Sequence, residues 1–189
     1  EQLGVEFPDF WSENAINITA SKYFRGKLGT PDRETSLKQM VTRVASNVRQ
    51  WGEKAGYFSD AAEADTFEAE FTYLLVNQHT SPNSPVWFNV GVSEKPQCSA
   101  CFILQVDDTL PSILQWIHNE GVIFNGGSGS GVSISRIRSK REHISRGGKS
   151  SGPVSFMRGA DAVAGMIKSG GTTRRAAKMV VLNIDHPDI

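Results

Sequence analysis

Apolar side chains in the first part of the chain recur at the spacing of an α-helix. From Ser36 to Trp51 they fall every three or four positions, which lines them along one helical face. This face comprises Leu37, Met40, Val41, Val44, Val48 and Trp51. A second stripe follows Ser59-Asp60 and comprises Phe67, Phe71, Leu74 and Leu75. The pattern predicts two helices that pack together as a helical N-terminal unit.

The character of the sequence changes at residues 80–85, Thr-Ser-Pro-Asn-Ser-Pro. Its two prolines lack backbone N–H donors and bias the preceding residues toward extended conformations. We place a domain boundary there, which gives a helical domain over residues 1–79 and a second domain over residues 80–189.

The second domain alternates predicted strands and helices. Apolar runs predict strands at Cys101–Val106, Val132–Ile137 and Met179–Ile184. The helix after the first strand has the predicted face Leu110, Ile113, Leu114 and Ile117. Pro153 and Gly170 bracket a further helix, whose predicted face is Phe156, Ala160, Val163 and Ile167. This order predicts an α/β fold, and because three strands do not close a barrel, we expect an incomplete sheet completed by a downstream segment.

Charge and cysteine content exclude several classes of protein. Lys plus Arg number 20 and Asp plus Glu number 20, so no global field attracts nucleic acid or anionic membranes. The apolar runs are much shorter than the roughly 20 residues that span a bilayer, and the N-terminus has no secretory signal pattern. With two cysteines, a disulfide framework is not expected. We expect a cytoplasmic protein that binds neither membranes nor nucleic acid.

The spacing Cys98-x-x-Cys101 has several interpretations. A structural zinc site needs about four ligands, and the sequence has neither a second such pair nor paired histidines, so no metal site is expected. A thioredoxin-type pair stands at a helix N-terminus, whereas these cysteines precede an apolar strand, where the alternation of side chains places them on opposite sides. Two small buried hydrophobes are the simplest alternative.

Two glycine-rich segments resemble phosphate loops only in part. Residues 125–131, Asn-Gly-Gly-Ser-Gly-Ser-Gly, follow a helix and precede a strand, which is the reverse of a dinucleotide-binding turn. Residues 148–150, Gly-Lys-Ser, lack the earlier glycine of a nucleoside-triphosphatase loop, since His143 stands there. The glycines still allow backbone N–H groups to approach a phosphate.

Cations concentrate in residues 168–178 and in the segment 136–146. Arg174 and Arg175 can bind phosphate oxygens in charge-assisted pairs, while a solvated basic turn is an equal alternative. The cations of the earlier segment are Arg136, Arg138, Lys140, Arg141 and Arg146. Such local clusters favour a nucleotide over a long nucleic acid as the ligand.

Taken in order, four segments of the sequence resemble the class II, adenosylcobalamin-dependent ribonucleotide reductases. They are residues 83–91 (Asn-Ser-Pro-Val-Trp-Phe-Asn-Val-Gly), 97–102 (Gln-Cys-Ser-Ala-Cys-Phe), 148–153 (Gly-Lys-Ser-Ser-Gly-Pro) and the basic stretch 168–180. The resemblance implies a helical domain followed by the first strands of a ten-stranded α/β barrel. It also implies reduction of ribonucleotides to deoxyribonucleotides, for DNA synthesis, by thiyl-radical chemistry.

The same resemblance implies roles for residues before and at the first strand. Cys101 resembles the N-terminal member of the cysteine pair that supplies reducing equivalents and ends as a disulfide. Ser84, Ser99 and Ala100 resemble substrate-binding positions. The radical cysteine, its acid/base glutamate and the second reducing cysteine have no counterpart here and are expected downstream, together with most of the adenosylcobalamin site.

Family members also bind a deoxynucleotide effector at a dimer interface. Asp108 resembles the residue that holds the effector's ribose, and Arg138 resembles a phosphate contact. Residues 139–148 and 168–177 resemble the two effector loops of the family. The cations in these segments that the resemblance assigns to effector binding are Arg146, Lys168, Arg174 and Arg175. A homodimer through the helices that follow Asp108 and Pro153 is implied.

These expectations make the chain an N-terminal part of a reductase, inactive without a C-terminal remainder. One alternative is a fragment of a class I large subunit, whose radical comes from a separate metal-containing subunit. The other is a non-catalytic deoxynucleotide-binding module.

Overall fold

The computed structural model describes residues 2–145, 147–167 and 176–189. The chain forms two compact units, Glu1–Cys98 and Ser99–Ile189. The second unit therefore begins 19 residues later than the boundary placed at residue 80, because the intervening segment packs with the helical unit. Trp87 and Val90 of that segment lie in the first unit's hydrophobic core.

The first unit is helical. Its helices are α1 (Glu13–Lys22), α2 (Leu37–Lys54), α3 (Ala61–Val76) and α4 (Ser84–Asn89). The two predicted helices, α2 and α3, are present and pack against each other. The sequence analysis did not predict α1 and α4.

Local capping explains where these helices begin. Ser36 and Gln39 form a reciprocal capping box at the start of α2, which satisfies two backbone donors. Asp60 caps α3 by accepting from the backbone N–H of Glu63 at 2.8 Å. Asn83 caps α4, and Pro85 stands in its first turn, where a missing N–H costs nothing. Pro85 of the segment where the domain boundary was placed therefore lies in the first turn of a helix.

The core of the first unit lies between the helices. The apolar face predicted for α2 is buried through Val44, but Val48 is only half-buried and Trp51 is exposed. The buried members of this core are Ala20, Phe24, Leu37, Met40, Val41, Val44, Leu75, Trp87 and Val90.

The second unit contains the predicted alternation of strands and helices. Its elements are β1 (Cys101–Gln105), α5 (Leu110–Asn125), β2 (Gly129–Ser133), α6 (Gly152–Met166) and β3 (Lys178–Val181). The three strands form one parallel sheet in the order β1-β2-β3. The sheet is unclosed, as expected for the start of an α/β barrel.

All three strands have different bounds from those predicted, and β1 ends at Gln105 rather than Val106. β2 begins at Gly129, inside the glycine-rich segment interpreted as a loop, and ends at Ser133 rather than Ile137. Gly129 is required by a close approach, since a Cβ atom there would lie 3.0 Å from the backbone oxygen of Ala177. β3 ends at Val181 rather than Ile184.

α5 is rotated relative to its predicted face. Ile113 is buried, but Leu110 and Leu114 are 60 % and 57 % exposed. The face toward the sheet is instead the stripe Ile113, Trp116, Glu120, Ile123 and Phe124. This orientation buries two large aromatic rings, which removes more apolar area from water than the predicted face would.

Glu120 makes α5 unusual because this carboxylate is only 1 % exposed. One of its oxygens, Oε2, accepts from Lys178 Nζ of β3 at 2.7 Å, and the other accepts from Ser130 Oγ of β2 at 2.8 Å. Both oxygens are therefore satisfied by side chains from two neighbouring strands of the sheet. Among the described residues, no helix is long and apolar enough to cross a membrane.

We expect Lys178→Met to destabilise the second unit by about 3–5 kcal/mol, because it leaves a buried carboxylate without its cation. The double variant Glu120→Gln/Lys178→Met should recover most of this loss, since the neutral amide still accepts from Ser130. The measurement is urea unfolding followed by tryptophan fluorescence; Trp116, whose ring lies 5.6 Å from Lys178 Nζ, reports on the second unit, while Trp11, Trp51 and Trp87 report on the first.

The matched control is Arg136→Met, which removes the ion pair between Arg136 and Asp107, whose side chains are 68 % and 59 % exposed. It should cost less than about 1 kcal/mol. Equal losses in Lys178→Met and Arg136→Met would contradict the role of the buried pair.

Candidate functional site

Cys101 begins β1 on the face of the sheet that the helices do not cover. Side chains alternate along a strand, so Phe102 and Leu104 pack toward the helices while Cys101 and Ile103 lie on the opposite face. Ile103 is 85 % exposed, and Met179 of β3 is also exposed. The described residues thus leave an open face that carries the Cys101 thiol.

The parallel register places a glycine beside this cysteine. Cys101 pairs with Gly129 and Ile103 pairs with Gly131 on β2. Both glycines are buried, and the Ile103 side chain lies close to Gly131, where a Cβ atom would be 3.2 Å from Ile103 Cδ1. Cys101 is exposed, which suits a thiol that must meet both a ligand and a second cysteine.

Ser99 and Ala100 hold the start of β1 against β2. The Ser99 carbonyl accepts from Ser128 Oγ at 2.5 Å, and the Ala100 carbonyl accepts from the Gly129 N–H at 2.8 Å. The Ser99 side chain remains exposed. These residues fix the backbone that presents Cys101.

Ser84 belongs to the first unit, where it is the first residue of α4. Its hydroxyl is 3.1 Å from the Tyr23 hydroxyl, and the Tyr23 ring stacks on Phe88 with centroids 5.3 Å apart. Tyr23 also lines a cleft of about 420 Å³, whose walls include Trp11 and Trp87. The Ser84 hydroxyl is therefore held in one place by an aromatic neighbour.

Cys98 has a different environment from Cys101. β1 starts at Cys101, so Cys98 precedes the strand rather than alternating with it. It is half-buried and packs against the core of the first unit. Burial raises the pKa of the Cys98 thiol, which disfavours the reactive thiolate.

Asp108 and Arg138 meet beyond the carboxyl ends of β1 and β2. Arg138 Nε donates to Asp108 Oδ2 at 2.5 Å, and the Arg138 backbone N–H donates to Asp108 Oδ1 at 3.2 Å. Both side chains remain partly exposed. Arg136 instead pairs with Asp107 at 3.1 Å on the surface. Of the two arginines, Arg138 is therefore the one held in a fixed relation to Asp108.

This pair lies at the rim of a cleft of about 510 Å³. The cleft contains a carboxylate, a guanidinium, an ammonium group, hydroxyls and an aromatic ring, contributed by Asp108, Thr109, Arg138, Lys149, Ser150, Ser151 and Phe156. Pockets of about 300–1,000 Å³ with a few convergent polar groups are typical of small-molecule sites. The group set suits a nucleotide, because it offers partners for a ribose, phosphates and a base.

The sequence analysis assigned no site role to Lys149, Ser150 and Ser151. Their signal was the run Gly-Lys-Ser, which failed the phosphate-loop spacing and so received no role. In the structure this run reaches the cleft directly before α6. Four residues predicted for effector binding, Arg146, Lys168, Arg174 and Arg175, lie outside the described residues.

Comparison with known proteins gives consistent matches along the chain. Residues 99–189 match the model of the ribonucleotide reductase barrel domain. Residues 1–34 and 30–78 match the model of class II vitamin B12-dependent ribonucleotide reductase.

Curated relatives match over the same range. A vitamin B12-dependent ribonucleotide reductase of Streptomyces clavuligerus is 63 % identical over the whole chain, which corresponds to 20 % of that relative's length. That of Rhodopirellula baltica is 42 % identical, again over the whole chain and 21 % of its own length. A vitamin B12-dependent ribonucleoside-diphosphate reductase of Thermoplasma acidophilum is 39 % identical over 92 % of the chain and 21 % of its own length. The chain thus spans about one fifth of these relatives.

The environments of the two thiols predict unequal reactivity in the folded chain. Iodoacetamide should alkylate Cys101 several-fold faster than Cys98, because Cys101 is exposed while burial raises the pKa of Cys98. Peptide mass spectrometry of samples quenched over time measures both rates. In urea the two rates should converge, and a faster reaction of Cys98 in the folded chain would contradict the assigned environments.

Proposed function

Because the chain belongs to the vitamin B12-dependent ribonucleotide reductases, we propose that it supplies the helical domain and the opening barrel strands of an enzyme that converts ribonucleotides to deoxyribonucleotides. The observation that carries this proposal is the exposed thiol of Cys101 at the head of β1, on the open face of the sheet and beside Gly129. The match of residues 1–78 to the B12-dependent class favours this branch over a class I large subunit.

Cys101 acts in this proposal as one of two reducing thiols. As the ribose loses its 2′-hydroxyl as water and gains hydrogen, Cys101 and a second cysteine together give up two electrons and two protons and form a disulfide. The rigid start of β1, bonded to β2 through the Ser99 and Ala100 carbonyls, holds the sulfur in a constant position. An external dithiol then restores both thiols by exchange.

Substrate contacts are proposed at both ends of the segment that leads to this thiol. The exposed Ser99 side chain and the backbone at Ala100 lie next to Cys101 in sequence and are available to the ribonucleotide. Ser84, whose hydroxyl is oriented by Tyr23, is the proposed contribution of the helical unit. Hydroxyl and backbone groups of this kind suit ribose and phosphate oxygens.

Adenosylcobalamin is the cofactor that we propose for the complete enzyme. When bound, it supplies the radical chemistry that activates the substrate. The clefts of the two units hold about 420 and 510 Å³ and are each too small for a corrin ring with its nucleotide tail. We propose that downstream residues of the family fold form most of the cofactor site.

We propose the Asp108–Arg138 cleft as the site of a deoxynucleotide effector. Asp108 accepts from ribose hydroxyls, while Arg138 and Lys149 neutralise phosphates. Further phosphate or base contacts are assigned to the four cations outside the described residues: Arg146, Lys168, Arg174 and Arg175.

A homodimer is proposed through the helices that flank this cleft. Leu110 and Leu114 of α5 are exposed, as is Val154 at the start of α6. Apolar side chains that project from adjacent helices favour burial against a second copy. An effector in the cleft would then lie next to the dimer interface.

The complete reductase that contains this segment should require adenosylcobalamin and should lose multiple turnover in Cys101→Ser, because a hydroxyl cannot form the disulfide. The matched control, Cys98→Ser, should keep most of the activity, since Cys98 only packs against the helical core. Deoxyribonucleotide formation with excess dithiol is the measurement.

Mass spectrometry after turnover without reductant identifies the disulfide directly. A bond between Cys98 and the second reducing cysteine, with Cys101 still a free thiol, would overturn the assignment. Unchanged turnover in Cys101→Ser would also reject the reducing role of Cys101, whereas a parent protein that forms no deoxyribonucleotide would favour a non-catalytic module.

The effector cleft predicts unequal roles for two neighbouring arginines. Arg138→Ala should raise the dissociation constant for a deoxynucleoside triphosphate such as dTTP by at least about tenfold, because it removes a charge-assisted contact in a fixed geometry. Arg136→Ala removes the same charge from the surface pair with Asp107 and should have little effect, since screened attraction contributes little. Equilibrium dialysis with the complete reductase measures both constants, and equal losses would refute the cleft assignment.

A further inference from the structure

The segment that follows β3 contains a buried histidine with a defined hydrogen-bonding state. His186 is 8 % exposed, and its Nδ1 accepts from the backbone N–H of Asp188 at 3.1 Å. Because Nδ1 accepts, the ring proton lies on Nε2, which donates to the Ile137 carbonyl at 2.8 Å. The neutral imidazole therefore joins residue 188 to residue 137.

Asp188 makes two further bonds to the same stretch of backbone. Its Oδ1 accepts from Ser139 Oγ at 2.7 Å, and its Oδ2 accepts from the backbone N–H of Lys140 at 2.8 Å. The hydrogen bond from the Lys140 N–H lowers the pKa of Asp188 most, and the bond from the Ser139 hydroxyl lowers it further below its ordinary value. The carboxylate is therefore ionised at neutral pH and accepts both bonds.

These three bonds bracket Arg138. Ile137 on one side, and Ser139 and Lys140 on the other, are each tied to the segment after β3. Arg138 itself is left to project to Asp108 at the rim of the cleft. The bonds to the residues before and after Arg138 fix the position of its backbone, and the guanidinium group extends from that fixed point.

The first turn of α6 also lies close to Asp188 and Lys140. Gly152 has φ +73°, and a Cβ atom there would lie 2.8 Å from Asp188 Oδ2 and 3.0 Å from the Lys140 nitrogen. Only glycine fits this close approach without strain. Ser150 and Ser151, which line the cleft, directly precede it. Asp188 therefore contacts the backbone on two sides of the cleft.

We propose that His186 and Asp188 are positioning residues of the effector cleft, which hold Arg138 and the start of α6 in the geometry that binds a nucleotide. This inference rests on the proposed function of the cleft. Neither side chain lines the cleft in the described structure; each acts through the backbone of residues 137–140.

Two physical effects of Asp188 have opposite signs, which makes the inference testable. As a negative charge near an anionic ligand, the carboxylate repels a triphosphate, so its neutralisation alone would tighten binding. As a positioning group it preserves the site, so its removal weakens binding. Asp188→Asn separates the two, because it removes the charge while its amide can still accept from Lys140 and donate to Ser139.

The experiment is equilibrium dialysis of dTTP, and of dATP in parallel, against the complete reductase and its variants. Asp188→Ala should raise the dissociation constant about tenfold, whereas Asp188→Asn should stay within about threefold of the parent protein. Ser139→Ala, which removes one of the two bonds, should fall between them. Asp185→Ala, an exposed carboxylate of the same segment, is the matched control and should bind like the parent.

Reversible unfolding raises the apparent dissociation constant in inverse proportion to the folded fraction, so urea unfolding of each variant is measured in parallel and each constant is corrected for that fraction. Parent-like or tighter binding in Asp188→Ala would overturn the inference, and so would an Asp188→Asn variant as weak as Asp188→Ala. If Arg138→Ala binds like the parent, the proposed effector cleft itself fails. If only Arg138→Ala weakens binding, the cleft stands and the positioning role is rejected.

Discussion

The carboxylate of Glu120 is the contact on which the arrangement of the second unit depends. It is buried beneath a parallel sheet, and its two oxygens accept from Ser130 of β2 and Lys178 of β3. A buried charge is stable only when its partners are in place, so α5 can dock in only one orientation and the two strands keep their register. That register continues to β1, where it places Gly129 beside Cys101. The need to pair the buried Glu120 carboxylate thus fixes the strand register that places Gly129 beside the Cys101 thiol on the opposite face of the sheet.

The parallel sheet separates two kinds of chemistry. Cys101, the proposed reducing thiol, stands at the amino end of β1 on the uncovered face. Asp108, Arg138 and Asp188 follow the carboxyl ends of β1, β2 and β3 respectively. Ligands of open α/β sheets bind outside the carboxyl ends of the strands, because loops from neighbouring strands converge there. The cleft at Asp108 and Arg138 and the segment after β3 follow this rule, and the same three strands connect that cleft to Cys101.

The open face also explains why these strands need neighbours. Ile103, Met179 and Val181 are exposed on the side that carries Cys101, and apolar strand faces of this kind are covered in parallel sheets. In the barrel domain that residues 99–189 match, such a face is the interior.

The sequence by itself determined the features that depend on residues close together in the chain. The helical period of the apolar residues predicted α2 and α3, and the alternation of strands and helices predicted the α/β unit. The motifs around Cys101 indicated the family. Only the tertiary structure decided which face α5 buries, where β2 begins and which side chains surround Arg138. Those outcomes depend on contacts such as Glu120 to Lys178 and Ser139 to Asp188, which join residues 58 and 49 positions apart. Local periodicity contains no signal for such pairs, because their free energy exists only once the strands and helices have packed.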